Sequence, residues 1–244
     1  MQIEDLARLL TVAEHGQVTD AAAALRTTQP TLSRLLARAE SELGTGTVRL
    51  AFLDSMATSL VPALLHDFRQ QAPGVRVVLR QEPGHEILRD LASGQSELAV
   101  ISPRPGEPHG WLPVQRQRLV LVVPAGHRLA ARHHVRLEEV AAEPFVTVPA
   151  GFGFRSLLDE LLAAEGVVLS RVSFEIGDLA TVEGLVGAGL GIAILPDQFA
   201  GLSGTAGVPL AADSAERVVG LTWRTDRALS PAASRFLEFV RLRP

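Results

Sequence analysis

The sequence predicts two parts of different class: a small all-α unit over residues 1–44, followed by a two-lobed α/β unit over 47–244. Three observations lead there. Apolar residues recur at helical spacing up to Gly44, strands and helices alternate from Thr47 onward, and that alternation runs through two similar rounds separated by a Pro-rich stretch at 103–113.

In the first part, Leu6, Leu9, Leu10 and Ala13 form an apolar stripe that Gly16 ends. Thr19 or Asp20 is suited to cap a short second helix, Ala21 to Leu25, whose small side chains admit a close neighbour. A third helix follows at once, with Thr28 as N-cap, Pro30 in the first turn, a stripe of Leu32, Leu35, Leu36, Ala39 and Leu43, and Gly44 as its stop.

In the second part, Val48, Leu50 and Phe52 alternate as a strand, Leu60, Leu64, Leu65 and Phe68 mark a helix, and Val75 to Leu79 is a strand. Ile87, Leu88 and Leu91 mark the next helix and Leu98 to Ile101 the next strand, a βαβαβ run that implies a parallel sheet. The second round has strands at Arg118 to Val123, Phe145 to Val148, Val172 to Ile176 and Gly191 to Leu195, with helices near Leu137, Leu157 and Leu179. Strands near Val208 and Val218 to Trp223, and a helix with Phe236, Leu237 and Val240, complete the first round after the chain returns. The expected lobes are 47–102 with 205–244, and 103–204, hinged near Pro103 and Pro196 around a cleft.

Composition narrows the function. Apolar residues make up 47% and charged residues 20% of 244, as in soluble globular proteins, and the absence of Cys excludes disulfides and thiolate chemistry. The acidic start and the short apolar runs point away from a signal peptide or a membrane span, so a cytoplasmic protein is expected. A net charge of -4 argues against coating nucleic acid by bulk charge, while leaving room for a local DNA-reading element. The glycine run 184–191 lies at a helix end leading into a strand, the reverse of a dinucleotide fingerprint, and His133 with His134 lack metal-ligand spacing. No hydrolase elbow, zinc-protease or Walker motif occurs, so no catalytic residue, metal or cofactor is expected.

Three short helices with a tight turn before the third make a helix-turn-helix candidate. Thr31, Arg34 and Arg38 lie on its polar side; Gln29, Thr31 and Ser33 suit base edges, and Arg34 suits a guanine or a phosphate. A solvated bundle face is the competing reading, because 1–44 holds four Arg against six acids. In the α/β part, Asp54, Ser55 and Met56 follow a strand end and Gly151 to Phe154 precede a helix, the positions where open α/β sheets bind ligands. Helix N-termini there, with the hydroxyls of Ser55, Thr58 and Thr147, favour a carboxylate, and Asp54 suits an amine, so a carboxylate or amino-acid-like effector is expected; simple capping by Asp54 and Ser55 is the alternative.

The segments 10–22, 28–34 (Thr-Gln-Pro-Thr-Leu-Ser-Arg) and 40–44 (Glu-Ser-Glu-Leu-Gly) resemble the helix-turn-helix of the LysR-type transcriptional regulators. The rest resembles that family's effector domain at Gly46-Thr47-Val48-Arg49-Leu50, at Pro124-Ala125-Gly126-His127-Arg128-Leu129 and along 187–196. The resemblance implies an α/β two-lobed, periplasmic-binding-protein-like sensor behind a DNA reader, with double-stranded operator or promoter DNA and a small-molecule effector as partners. It leaves a homo-oligomer through the effector domain open. It implies Thr28, Gln29, Pro30, Thr31, Ser33, Arg34 and Arg38 on DNA, and adds Ser102, Phe152 and Ile194 to the effector candidates.

One departure stands out. In the family a β wing and a long subunit-pairing linker helix follow the third helix; here only Thr45 and Gly46 precede the first effector strand. A few extended residues reach about 10 to 14 Å, so the reader must sit against its own effector domain, whereas paired recognition helices stand roughly 34 Å apart. A ligand-binding or hetero-oligomerising regulator without independent DNA binding is therefore the alternative expectation.

Overall fold

A computed structural model describes residues 3–243. The head is three helices, α1 (Ile3–His15), α2 (Val18–Ala24) and α3 (Gln29–Leu43). Its core is small: Ala21, Ala22 and Leu32 are buried, with Val12, Val18, Leu25 and Leu35 packed around them. Two expectations change here. Helix α2 starts at Val18 after Gln17, so Thr19 and Asp20 lie inside its first turn and do not cap it. Leu6 and Leu10 of the α1 stripe are exposed, because among the described residues the head supplies no element to cover that side.

The body begins two residues after α3. Strands β1 (Gly46–Phe52), β2 (Val75–Gln81) and β3 (Leu98–Ile101) alternate with α4 (Leu60–Gln71) and α5 (Gly84–Ser93). Strand β4 (His109–Pro124) then runs into the second lobe, followed by β5 (Phe145–Thr147), α6 (Gly153–Ala164), β6 (Val172–Glu175), α7 (Leu179–Gly187), β7 (Ala193–Pro196) and β8 (Thr205–Pro209). Strand β9 (Glu216–Arg224) returns, and α8 (Pro231–Leu242) closes the first lobe.

The sheet order in the first lobe is β2-β1-β3-β9-β4, parallel among β1, β2 and β3 and antiparallel beyond. In the second lobe β4 pairs with β7 on one side and β8 on the other, while β5 pairs with β6 and bridges to Ile192 just before β7. Each lobe has its own apolar core.

The hinge differs from the expectation. The Pro-rich stretch reaches only to Pro108, and β4 is one 16-residue strand whose first part pairs with β9 and whose last part pairs with β7 and β8. Pro113 is accommodated at a register shift in the β4–β9 ladder, where a missing N–H costs least. The lobes therefore meet where β4 and β9 cross, near residues 117–119 and 215–217. Residues 205–209, expected in the first lobe, form β8 on the second lobe's side of β4.

The head is seated on the first lobe. Helix α3 packs on α8, and the junction is close: a Cβ on Gly46 would lie 3.1 Å from the Ala232 Cβ, and one on Gly74 would lie 3.0 Å from the Gly44 carbonyl. Glu40 lies in this seam; burial, and then the Glu97 carboxylate, hold its carboxyl above the usual range.

Candidate functional site

Two sites follow from this arrangement. The first is the solvent side of α3. Leu32 and Ala39 turn inward, and helical periodicity leaves Thr28, Gln29, Pro30, Thr31, Arg34 and Arg38 exposed, with Ser33 half-buried. Several are held by neighbours: the Thr28 and Thr31 hydroxyls are 2.8 Å apart, Gln29 Nε2 donates to Ser33 Oγ at 3.1 Å, and Arg38 pairs with Glu42 at 2.8 Å. Arg34 has no ion-pair partner within 4 Å among the described residues.

The second site is the cleft between the lobes. It is lined from the first lobe by Asp54 and Ser55 after β1, Gly84 after β2 and Ser102 after β3, and from the second by Val148, Phe152, Gly153 and Phe154 after β5 and by Gly177 and Leu179 after β6. These are the carboxyl ends of the parallel strands in both lobes, where the loops are free to shape a site. The free volume between these residues is about 60 Å³. Gly153 lies so near the other lobe that a Cβ there would come within 2.6 Å of Pro103 Cδ and 3.1 Å of the Ser102 carbonyl oxygen.

Of the expected effector residues, Asp54, Ser55, Ser102 and Phe152 come together in this cleft, and Gly151 sits beside it in the left-handed region, φ +90°. Four do not. Met56 is buried in the first lobe's core, because residues 54–56 form a single 3-10 turn that rolls its side chain inward. Thr58 is exposed in the stretch before α4 and outside the cleft lining. Thr147 and Ile194 are buried and line a separate groove of about 470 Å³ against Leu158 and Leu162 of α6. The helix marked by Leu60 begins there after Ser59 with no side-chain cap, so Asp54 and Ser55 neither cap it nor bring its N-terminus to the cleft; the helices whose N-termini line the cleft are α5, α6 and α7.

The residue that sequence reasoning missed is Arg217. It lines the cleft from the crossing strand β9, opposite Gln117 of β4, and is 1% exposed. Its Nη2 donates to Ser55 Oγ at 3.0 Å and the Phe154 ring lies 5.3 Å from its guanidinium carbon, but Nε and Nη1 have no hydrogen-bond partner. Burial lowers its pKa to about 10, so it remains ionised at neutral pH. Gln117 donates to Gln115 and to Gln198, and Gln198 Nε2 donates to the Ser55 carbonyl at 3.2 Å, linking the lobes. A signal was present: Arg217, Val219 and Leu221 alternate, so the period of the strand puts Arg217 on the same inward side as two fully buried residues.

Among the described residues no group of His, Asp or Glu is placed to hold a metal, and no helix is long and apolar enough to cross a membrane.

Comparison with known proteins agrees with both parts. Residues 3–46 match the bacterial regulatory helix-turn-helix protein, lysR family, and residues 41–243 match the LysR substrate binding domain. The Bacillus subtilis regulator YybE, an uncharacterised HTH-type transcriptional regulator, is 31% identical and aligns with 98% of each chain. That alignment runs over 288 positions against 244 residues, so tens of its residues have no counterpart here. The effector binding domain of QuiR, solved in complex with shikimate, superposes with a TM-score of 0.74 at 24% identity over 80% of this chain and 95% of its own. HinK of Pseudomonas aeruginosa, a LysR family transcriptional regulator, superposes at 0.71 and 22% identity over 98% and 97%. The matched families are regulatory, not enzymatic, and the chain belongs to the LysR-type transcriptional regulators.

Proposed function

We propose that this regulator reads double-stranded operator DNA in the cytoplasm through the exposed side of α3, and that a small polar effector held in the interlobe cleft governs that reading. One observation carries the proposal: α3 packs on α8, yet Thr28, Gln29, Thr31 and Arg34 stay in solvent. Gln29 and Thr31 suit base edges, and Arg34 suits a guanine or a phosphate. The first lobe forms one wall of the cleft and also carries α8 and therefore α3, which gives the effector a route to the reader. A second copy joined through the effector domain supplies the two-fold symmetry that paired half-sites need. That QuiR binds shikimate in the same fold supports a small-molecule effector here.

The test is a gel shift with the DNA upstream of the gene, titrated in salt. The expected result is a complex that prefers this DNA over a scrambled duplex, and an Arg34→Ala variant whose affinity falls and whose salt slope drops by about 0.9 if Arg34 holds a phosphate. Wild-type binding without preference, or an Arg34→Ala variant that binds like wild type, overturns it. The direct join of α3 to β1 and the local excess of acid favour a second reading, a ligand-responsive regulator without independent DNA binding. Absence of any complex from a folded protein that still responds to ligand is its expected result.

A further inference from the structure

We infer that Arg217 is the anion-recognising group of the interlobe cleft and that the effector is a small carboxylate. The inference rests on the cleft being the effector site and adds what that site selects. An ionised arginine this deeply buried is ordinarily paired with a carboxylate, because an uncompensated buried charge is costly. Here no acid lies within 4 Å of it among the described residues, and Asp54, the one acid lining the cleft, forms no ion pair with it. Ser55 occupies one nitrogen and leaves Nε and Nη1 without partners. Phe154 packs against the guanidinium without supplying negative charge, and the unpartnered N–H groups lie in the guanidinium plane, where a carboxylate binds.

The surroundings point the same way. Helices α5 and α6 bring Gly84 and Gly153 to the cleft, and neither helix has a side-chain N-cap. Both positive helix ends therefore add to the field of Arg217. The free volume of about 60 Å³ favours a small molecule. Because Arg217 sits on the crossing strand and bonds to Ser55, an anion bound there touches both the hinge and the first lobe, so its charge acts on lobe closure.

Thermal unfolding of the full chain tests this with acetate, benzoate and shikimate, with benzamide as the uncharged counterpart of benzoate, and with inorganic phosphate, all at matched ionic strength. The expected result is a saturable rise in Tm with at least one carboxylate and none with benzamide. Arg217→Lys, which keeps the charge and loses the planar fork, is expected to weaken that carboxylate by about tenfold. Arg217→Met is expected to abolish the response and to raise the Tm of the ligand-free protein, with an unchanged far-UV spectrum, because it removes an unpaired buried charge. Equal stabilisation by benzoate and benzamide, stabilisation by phosphate alone, or no shift with any anion at tens of millimolar overturns the inference. Phe152→Ala separates it from the reading beneath it. A carboxylate response lost in Phe152→Ala but kept in Arg217→Met overturns the anchor and leaves the cleft standing; one kept in both overturns both.

Discussion

Glu183 shows how one side chain governs a connection. It lies on α7 at 1% exposure and accepts hydrogen bonds from the Ser203 amide at 2.8 Å and the Thr205 hydroxyl at 2.6 Å, which pins the turn leading into β8. Burial opposes its ionisation, but the hydrogen bonds from Ser203, Thr205 and the Leu202 backbone outweigh it and leave the carboxyl below its usual range. With the folded pKa below the unfolded one, its stabilisation is complete above the ordinary carboxylate value and is lost as pH falls through the folded value. Glu183→Gln is expected to cost about 1 to 2 kcal/mol at neutral pH and to flatten the acid limb, as read by urea unfolding at a series of pH values. The partners of this lock and of Arg217 lie 20 and 162 residues away and were not legible in the sequence, although the period of the strand marked Arg217 itself as inward-facing. The exposed side of α3 was legible, because it depends only on the period of one helix.

At the scale of elements, most boundaries followed from local pattern, and the instructive differences have local causes. Strand β4 extends back through Pro113 because β9 offers it a ladder, a non-local partner that a breaker count cannot anticipate. The α1 stripe identified the helix but not its environment, since an apolar face predicts burial only where a neighbour exists. The end of α3 was readable: Gly44 takes φ +62°, the left-handed stop of a helix, and a Cβ there would meet Arg235 Nη1 at 2.8 Å. Gly44→Ala is expected to cost about 1 to 2 kcal/mol from backbone strain, and to show first as faster hydrogen exchange in the last turn of α3, because the head has only a small core to resist fraying.

The whole molecule adds what no element contains, a contact between lobes. Gly153 at the start of α6 allows the second lobe to reach Ser102 and Pro103 of the first. Overpacking of this kind costs about 1 to 3 kcal/mol. Gly153→Ala is therefore expected to hold the lobes apart, weakening an effector that binds the closed form by about 5- to 150-fold. Small-angle scattering checks it: the variant should have a larger radius of gyration than wild type and should not contract with ligand. Unchanged scattering would place the closing contact elsewhere.

By itself the sequence determined the order of helices and strands, the division into head and two-round body, the family, and the outward face of α3. Each of these depends on periodicity, turn residues or motif spacing within a few tens of residues. Only the tertiary structure decided that the hinge lies at the β4–β9 crossing, that Thr147 and Ile194 leave the cleft while Arg217 enters it, and that the head rests on α8. The reason is physical: a cleft is formed by loops from strands far apart in the chain, and the partner that makes a buried charge tolerable, or leaves it waiting for a ligand, is set by packing that no local pattern encodes.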